Sequence, residues 1–170
     1  MLLGHSIGAL IAFEFTRLLR KHRAPQPKHL IISGTKAPQV PFKRPIIHNL
    51  PDSALIEEIR KYNGIPNDIL EDRELMSIFL PIIRADFSIS ETYQYTSEEP
   101  LKCPITALGG LSDTSFDQPD LFEWEKQTSS LFKYNLLEGD HFFIRSSYKE
   151  VIAIVNKLVY HEISKLVGIN

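Results

Sequence analysis

Apolar residues recur at Ile7, Leu10, Ile11, Phe15, Leu18 and Leu19, the three-and-four spacing of one helical face. The stretch ends in Arg17, Arg20, Lys21 and Arg23, cations that suit a helix C-terminus, and Pro25 and Pro27 forbid its continuation. His29 to Ser33 is a short apolar run closed by Gly34 and reads as a buried strand. Residues 34–51 carry four prolines and read as loop. A helix is expected from Asp52 or Ser53 to about Tyr62, broken by Asn63-Gly64-Ile65-Pro66. Asp72 caps a further helical stretch with Leu75, Ile78, Phe79, Ile82 and Ile83 on one side, kinked or split by Pro81. Pro104 to Leu108 is a strand stopped by Gly109-Gly110. Asp117 to Asp120 opens a helix reaching about Thr128, and Phe132 to Leu137 is a strand. Ser147 to Glu150 fits a capping box ahead of Val151, Ile154, Val155, Leu158 and Val159 at helical spacing. With Leu2-Leu3 as the end of a first strand, strands and helices alternate around a helical insertion at about 45–97. Alternation of this kind predicts an α/β fold with a mainly parallel sheet.

Composition changes this picture little. The 170 residues are 43% hydrophobic and 24% charged, ordinary globular values for one domain. A net charge of −2 leaves no broad cationic surface for nucleic acid. No apolar run approaches the ~18 residues that cross a bilayer, so no membrane partner is expected. The single cysteine, Cys103, cannot form an internal disulfide or hold zinc alone, which fits a reducing, cytoplasmic setting and a buried, inert thiol.

Chemistry enters at Gly4-His5-Ser6-Ile7-Gly8, which fits G-x-S-x-G. A nucleophilic serine must be lifted off the sheet on a sharp strand-to-helix turn, with neighbours lacking side chains to avoid a clash. The next backbone N–H, that of Ile7, then points at a developing oxyanion. The alternative is a plain glycine-rich turn with Ser6 merely at a helix N-terminus. A hydroxyl nucleophile needs a base, and the α/β-hydrolase order is serine, acid, histidine. His141 follows the strand ending at Leu137, at the same sheet end as Ser6, and is the strongest candidate. His5 is expected to point away and pack, His22 to sit on a solvated helix end and His161 on a helix surface; His29 opens a strand too early in the chain, and His48 lies in the proline-rich loop. Asp113 follows the preceding strand in the same way. Asp117 is explained by helix capping, and Asp140 adjoins His141 too closely to orient it.

These residues resemble a known family. GHSIGALIAFE, LPDSALIEEIRKYNGIP, LPIIRADFSISETYQY, ITALGGLSD and EGDHFFI, in that order, are similar to segments of type II thioesterases, free-standing α/β-hydrolases of nonribosomal peptide and polyketide synthases. The resemblance covers nearly the whole chain. It implies hydrolysis of acyl thioesters on the phosphopantetheine arm of acyl- or peptidyl-carrier proteins, with Ser6 as nucleophile, Asp113 as acid and His141 as base. Trp124 stands at the family's usual distance from Asp113. Residues 45–97 become the lid, where Met76, Phe79, Ile83 and Phe87 either wall a substrate channel or pack the lid on the body. Arg84 and Asp86 either pair or meet a carrier domain. No metal or organic cofactor is implied. Two other readings share the fold: a non-catalytic remnant that still docks carrier proteins, and a small-molecule esterase.

Family members carry several strands and helices before the serine turn, where this sequence has three residues. The expectation is a single α/β-hydrolase domain over 1–170 that lacks its N-terminal part, including the loop donating a second oxyanion N–H. Loss of one such donor costs about 10²–10³ in turnover. This chain alone is therefore expected to be poorly stable or feebly active. Upstream sequence should restore thioester hydrolysis, and full turnover by the 170 residues would contradict that.

Overall fold

The computed structural model describes residues 1–168. Four parallel strands lie in sequence order: β1 (Leu2–His5), β2 (Leu30–Ser33), β3 (Ile105–Gly110) and β4 (Phe132–Leu137). Side chains on a strand alternate between faces, and the apolar residues follow that period. Leu30, Ile32, Ile105 and Ala107 pack on one face beneath α1 (Ile7–Lys21), α5 (Gln118–Phe122) and a 3₁₀ turn at Glu123–Gln127. Ile31 and Leu108 point to the other face and meet Phe143 of the short α6 (Phe143–Ser146) and Val151 of α7 (Tyr148–Val167). Covered on both faces, β3 is buried along its whole length, which is why it reads as an unbroken apolar run.

The insertion between β2 and β3 is a small lid with its own core: α2 (Asp52–Arg60), α3 (Asn67–Glu71) and α4 (Arg73–Thr92) around Leu55, Ile59, Leu70, Met76 and Leu80. Its regular structure is shorter than 45–97. Asp72 caps α4 as expected, accepting from the amides of Glu74 (2.9 Å) and Leu75 (3.0 Å). Pro81 does not split α4. Proline removes a backbone donor, but Pro81 faces solvent, where water serves the freed carbonyl, while Met76 and Leu80 hold both sides of it in the lid core. The buried stripe also differs from expectation. Met76, Leu80, Ile83 and Phe87 face the lid core, whereas Leu75, Ile78, Phe79 and Ile82 are exposed, because a one-layer lid covers only one of the two apolar stripes on α4.

Polar clasps fix the lid base. The carboxylate of Glu91, almost wholly buried, accepts from the amides of Ile47 (2.9 Å) and His48 (3.1 Å) and from the His48 ring. Arg84 donates to the carbonyls of His48 and Leu50 and pairs with Asp52, not with Asp86. Where the lid chain returns, Tyr93 and Arg17 both donate to Glu14 on α1, and Arg17 also pairs with Glu98.

Two further elements depart from the sequence reading. The helix expected from Asp117 to Thr128 tightens into the 3₁₀ turn at Glu123, which turns Trp124 inward to donate to the carbonyl of Thr35 (3.1 Å) and meet Phe13 edge-on. The capping box at Ser147 does not form, because the hydroxyl of Ser147 donates instead to the Glu138 carbonyl (2.7 Å) and ties α7 to the end of β4. Cys103 is buried, and burial pushes its thiol up.

The turn from β1 into α1 separates the two glycines of the G-x-S-x-G pattern. A Cβ on Gly4 would lie 2.1 Å from the Gly8 carbonyl oxygen, whereas a Cβ on Gly8 would meet nothing within 4 Å. Only the first glycine is sterically required. Gly4→Ala should therefore destabilise the chain by more than about 3 kcal/mol, since backbone must move to admit the methyl. Gly8→Ala should be neutral or stabilising by up to about 1 kcal/mol, as glycine is the poorer helix former. Urea unfolding midpoints of the two variants check this; equal losses would contradict it.

Candidate active site

Because all four strands are parallel, the loops leaving their C-terminal ends share one rim. Ser6 leaves β1 there, in a left-handed conformation (φ 54°, ψ −124°) that a non-glycine residue adopts only when its surroundings hold it. The hold is visible. The Ser6 amide donates to the carbonyl of Ser33 at the end of β2 (2.7 Å), and the Ser6 carbonyl accepts from Ala9 (3.0 Å). The helix starts at Ile7, whose amide lies in the first turn of α1, where no intrahelical acceptor exists.

Asp113 and His141 come from the loops after β3 and β4, and these loops are laced together. Leu111 donates to Leu137 (2.8 Å), Ser112 to Gly139 (2.9 Å) and Asp113 to Gly110 (3.2 Å). A Cβ on Gly110 would lie 2.4 Å from the Asp140 carbonyl, so the close approach depends on glycine there. Within this clasp, His141 Nδ1 lies 3.0 Å from Asp113 Oδ2, and His141 Nε2 lies 3.1 Å from Ser6 Oγ. The Asp113 side chain is fully buried and that of His141 is 9% exposed. Burial alone would raise the Asp113 pKa. The hydrogen bond and the charge of His141, with further help from Ser115, outweigh it and hold the carboxyl below the usual range. The arrangement can pass a proton from the hydroxyl to an imidazole whose far nitrogen faces a carboxylate.

Asp140 turns its carboxylate to the Phe142 amide (2.9 Å), and Asp117 lies at the start of α5 near Lys43, so neither faces the imidazole. Among the other histidines, His48 serves the lid base, His29 bonds Thr106 (2.8 Å) inside the sheet, and His22 and His161 are exposed. His5 does not simply point away. Its Nδ1 lies 3.0 Å from the Ser33 hydroxyl, and its ring stands 5.0 Å from that of His141. Burial, reinforced by the neighbouring imidazole of His141, lowers its pKa to about 4, so it is neutral near pH 7.

Two cavities meet at Ser6. One, of about 310 Å³, runs past Thr35, Lys36, Lys43 and Arg44. The other, of about 260 Å³, is walled mainly by Ile59, Ile65, Ile83, Phe87 and Phe142. Ser6, Ile7, Tyr62, Phe87, Ser90 and His141 line both. Of the lid residues singled out from sequence, Ile83 and Phe87 reach the site. Met76 does not, being 2% exposed inside the lid core, and Phe79 faces solvent on the outer stripe of α4. Tyr62, edge-on to His141 at 5.6 Å between ring centres, and Ser115 were not singled out. Ser115 carries a readable signal, since it lies two residues after an acid in a turn, where a side chain and a following amide commonly bond. Tyr62 carries none, because its place depends on how the lid is seated. No cluster of three His, Cys, Asp or Glu side chains suited to a metal occurs among the described residues, and no described helix is long and apolar enough to cross a membrane.

Known proteins resemble this chain in sequence and fold. The gramicidin S biosynthesis protein GrsT of Aneurinibacillus migulanus is 46% identical over 155 residues, covering 91% of this chain and 60% of GrsT. The crystal structure of ClbQ from the colibactin NRPS/PKS pathway superimposes with a TM-score of 0.88 at 35% identity, over 98% of this chain and 70% of ClbQ. YbtT, a type II thioesterase from the yersiniabactin NRPS/PKS pathway, does so at 0.81 and 33% identity, over 91% of this chain and 63% of YbtT. The chain spans about three fifths of the length of the curated relatives it matches. The fold common to these structures is the α/β-hydrolase fold, as the alternation of elements and the serine turn led one to expect. The thioesterase domain family matches residues 1–159. With nearly the whole chain matched and relatives of pathway thioesterases at this level of identity, the protein belongs to the thioesterase domain family.

Proposed function

We propose that this chain is a cytoplasmic serine thioester hydrolase that clears acyl groups from the phosphopantetheine arm of acyl- or peptidyl-carrier proteins. The observation that carries the reading is the continuous line Ser6 Oγ, His141 Nε2, His141 Nδ1, Asp113 Oδ2, with gaps of 3.1 and 3.0 Å at its two ends. In the resting state Asp113 accepts a hydrogen bond from the Nδ1–H of His141, which leaves Nε2 bare toward the hydroxyl. His141 takes the Ser6 proton as Oγ attacks the thioester carbonyl. Charge gathers on the former carbonyl oxygen, where the Ile7 amide is the available donor on this chain. Collapse of the intermediate breaks the C–S bond, and His141 returns the proton to the departing thiol. Water then attacks the acyl-serine with His141 again as base, releasing the acid and restoring Ser6.

The two cavities divide the substrate between them in this reading. The apolar arm, with Ile59, Ile65, Ile83 and Phe87, suits an acyl chain. The arm past Thr35, Lys36, Lys43 and Arg44, lined also by Asp117 and Asp120, offers polar partners to the carrier arm. A second, polar passage beside the apolar one gives room for a carrier arm, which a small ester would not need.

A serine-directed fluorophosphonate should label the protein at Ser6, and Ser6→Ala or His141→Ala should reduce labelling and acyl-carrier thioester hydrolysis by at least about 10⁴-fold. Acyl-carrier thioesters should be cleaved faster than simple esters of the same acid. No labelling of the unaltered chain would support the docking-remnant reading, and a preference for small esters the esterase reading.

The neutral His5 also has a consequence in acid. Unfolded histidine titrates near 6.5 and folded His5 near 4, so the unfolded state takes the proton first as pH falls. The stability this contributes is complete above about pH 6.5 and is lost on the way down to pH 4. It amounts to about 2 kcal/mol after allowance for the partly exposed ring. His29, also lowered by burial, adds a loss in the same direction. His5→Gln, which can still bond Ser33, should therefore lose less stability between pH 7 and 4.5 than the unaltered chain. Urea midpoints at both pH values give the comparison, and identical slopes would contradict it.

A further inference from the structure

His141 Nδ1 faces two oxygens. Asp113 Oδ2 is at 3.0 Å and the hydroxyl of Ser115 at 3.1 Å. The same Ser115 donates its backbone N–H to Asp113 Oδ1 at 2.8 Å. One residue therefore grips both partners of the acid–imidazole pair: the carboxylate through its amide and the ring through its side chain. Its position is secured from behind, because Phe116, the next residue, is buried in the main core beside Leu121 and Trp124.

Resting on the hydrolase reading above, we propose that Ser115 is a positioning residue that shares the Nδ1 proton of His141 with Asp113. A ring held by one acceptor can rotate about its Cβ–Cγ bond and swing Nε2 off the serine. A second acceptor at the same nitrogen restrains that swing. The shared bond also selects the tautomer, since either oxygen suffices to hold the proton on Nδ1 and leave Nε2 bare. Asp113 adds what Ser115 cannot, a full negative charge opposite the imidazolium. The two roles overlap in geometry and differ in charge. Loss of Ser115 is thus mild while Asp113 remains and severe once it is gone.

Four proteins decide this: the unaltered chain, Ser115→Ala, Asp113→Ala and the double variant, each read by the rate of fluorophosphonate labelling at Ser6. Ser115→Ala alone should slow labelling about 3- to 10-fold, the weight of one neutral hydrogen bond. In the Asp113→Ala background the same change should cost about 30-fold or more, because the developing imidazolium then has no acceptor at Nδ1. Equal factors in both backgrounds overturn the proposal. The downfield proton resonance of the His141 Nδ1–H, which needs no turnover, gives the second reading. It should move in Ser115→Ala and stay close to the original in Ser115→Thr, which keeps the hydroxyl; an unmoved signal in Ser115→Ala overturns the proposal. Absence of labelling in the unaltered chain would count against the hydrolase reading, and the resonance would still judge Ser115.

Discussion

The parallel alignment of four adjacent strands is the constraint from which the site descends. Parallel pairing sends every strand's C-terminal end to the same rim, so three residues far apart in sequence arrive together without long excursions. Alignment of strands alone is too coarse for proton transfer, which needs placement within tenths of an ångström. The finer setting comes from backbone bonds across the rim: Ser6 to Ser33 on one side, and the lacing of the β3 and β4 loops on the other. These bonds hold the strained serine turn and keep the carboxylate and the imidazole at a set separation.

The lid follows a different logic. It has a core of its own, the bonds of Glu91 and Arg84 are made within it, and Tyr93 ties its far end to Glu14 on α1. The cavity walls Ile59, Ile65, Ile83 and Phe87 are all drawn from the lid. The residues from the sheet rim are set by the core. The sheet rim thus supplies Ser6, Asp113 and His141, and the lid the apolar walls beside them.

Much of the fold was legible because its signals are local. A strand covered on both faces must be apolar throughout, as β3 is, and a helix covered on one face must repeat at three and four, as α1 does. Where the reading failed, a distant partner had overruled a local preference. Pro81 is tolerated because the lid core grips α4 on both sides of it. Ser147 abandons its cap for the Glu138 carbonyl, and the helix after Asp117 tightens so that Trp124 can reach Thr35. The apolar positions of α4 form two stripes, and only tertiary contact chooses which of them is buried. That is also why Met76 and Phe79, both plausible as cavity walls, lie away from the serine.

The serine turn, the succession of elements and the two loops that carry Asp113 and His141 were set by residue type and order, since a strained turn needs its glycine and a parallel sheet sends successive loops to one rim. The tertiary structure alone decided which glycine is sterically required, that His5 turns back against His141, that Ser115 joins the pair at Nδ1, and which lid side chains reach Ser6. Each of these depends on the approach of segments distant in sequence. No periodicity along the chain records such an approach, because the distance between two loops is set by the packing of everything beneath them.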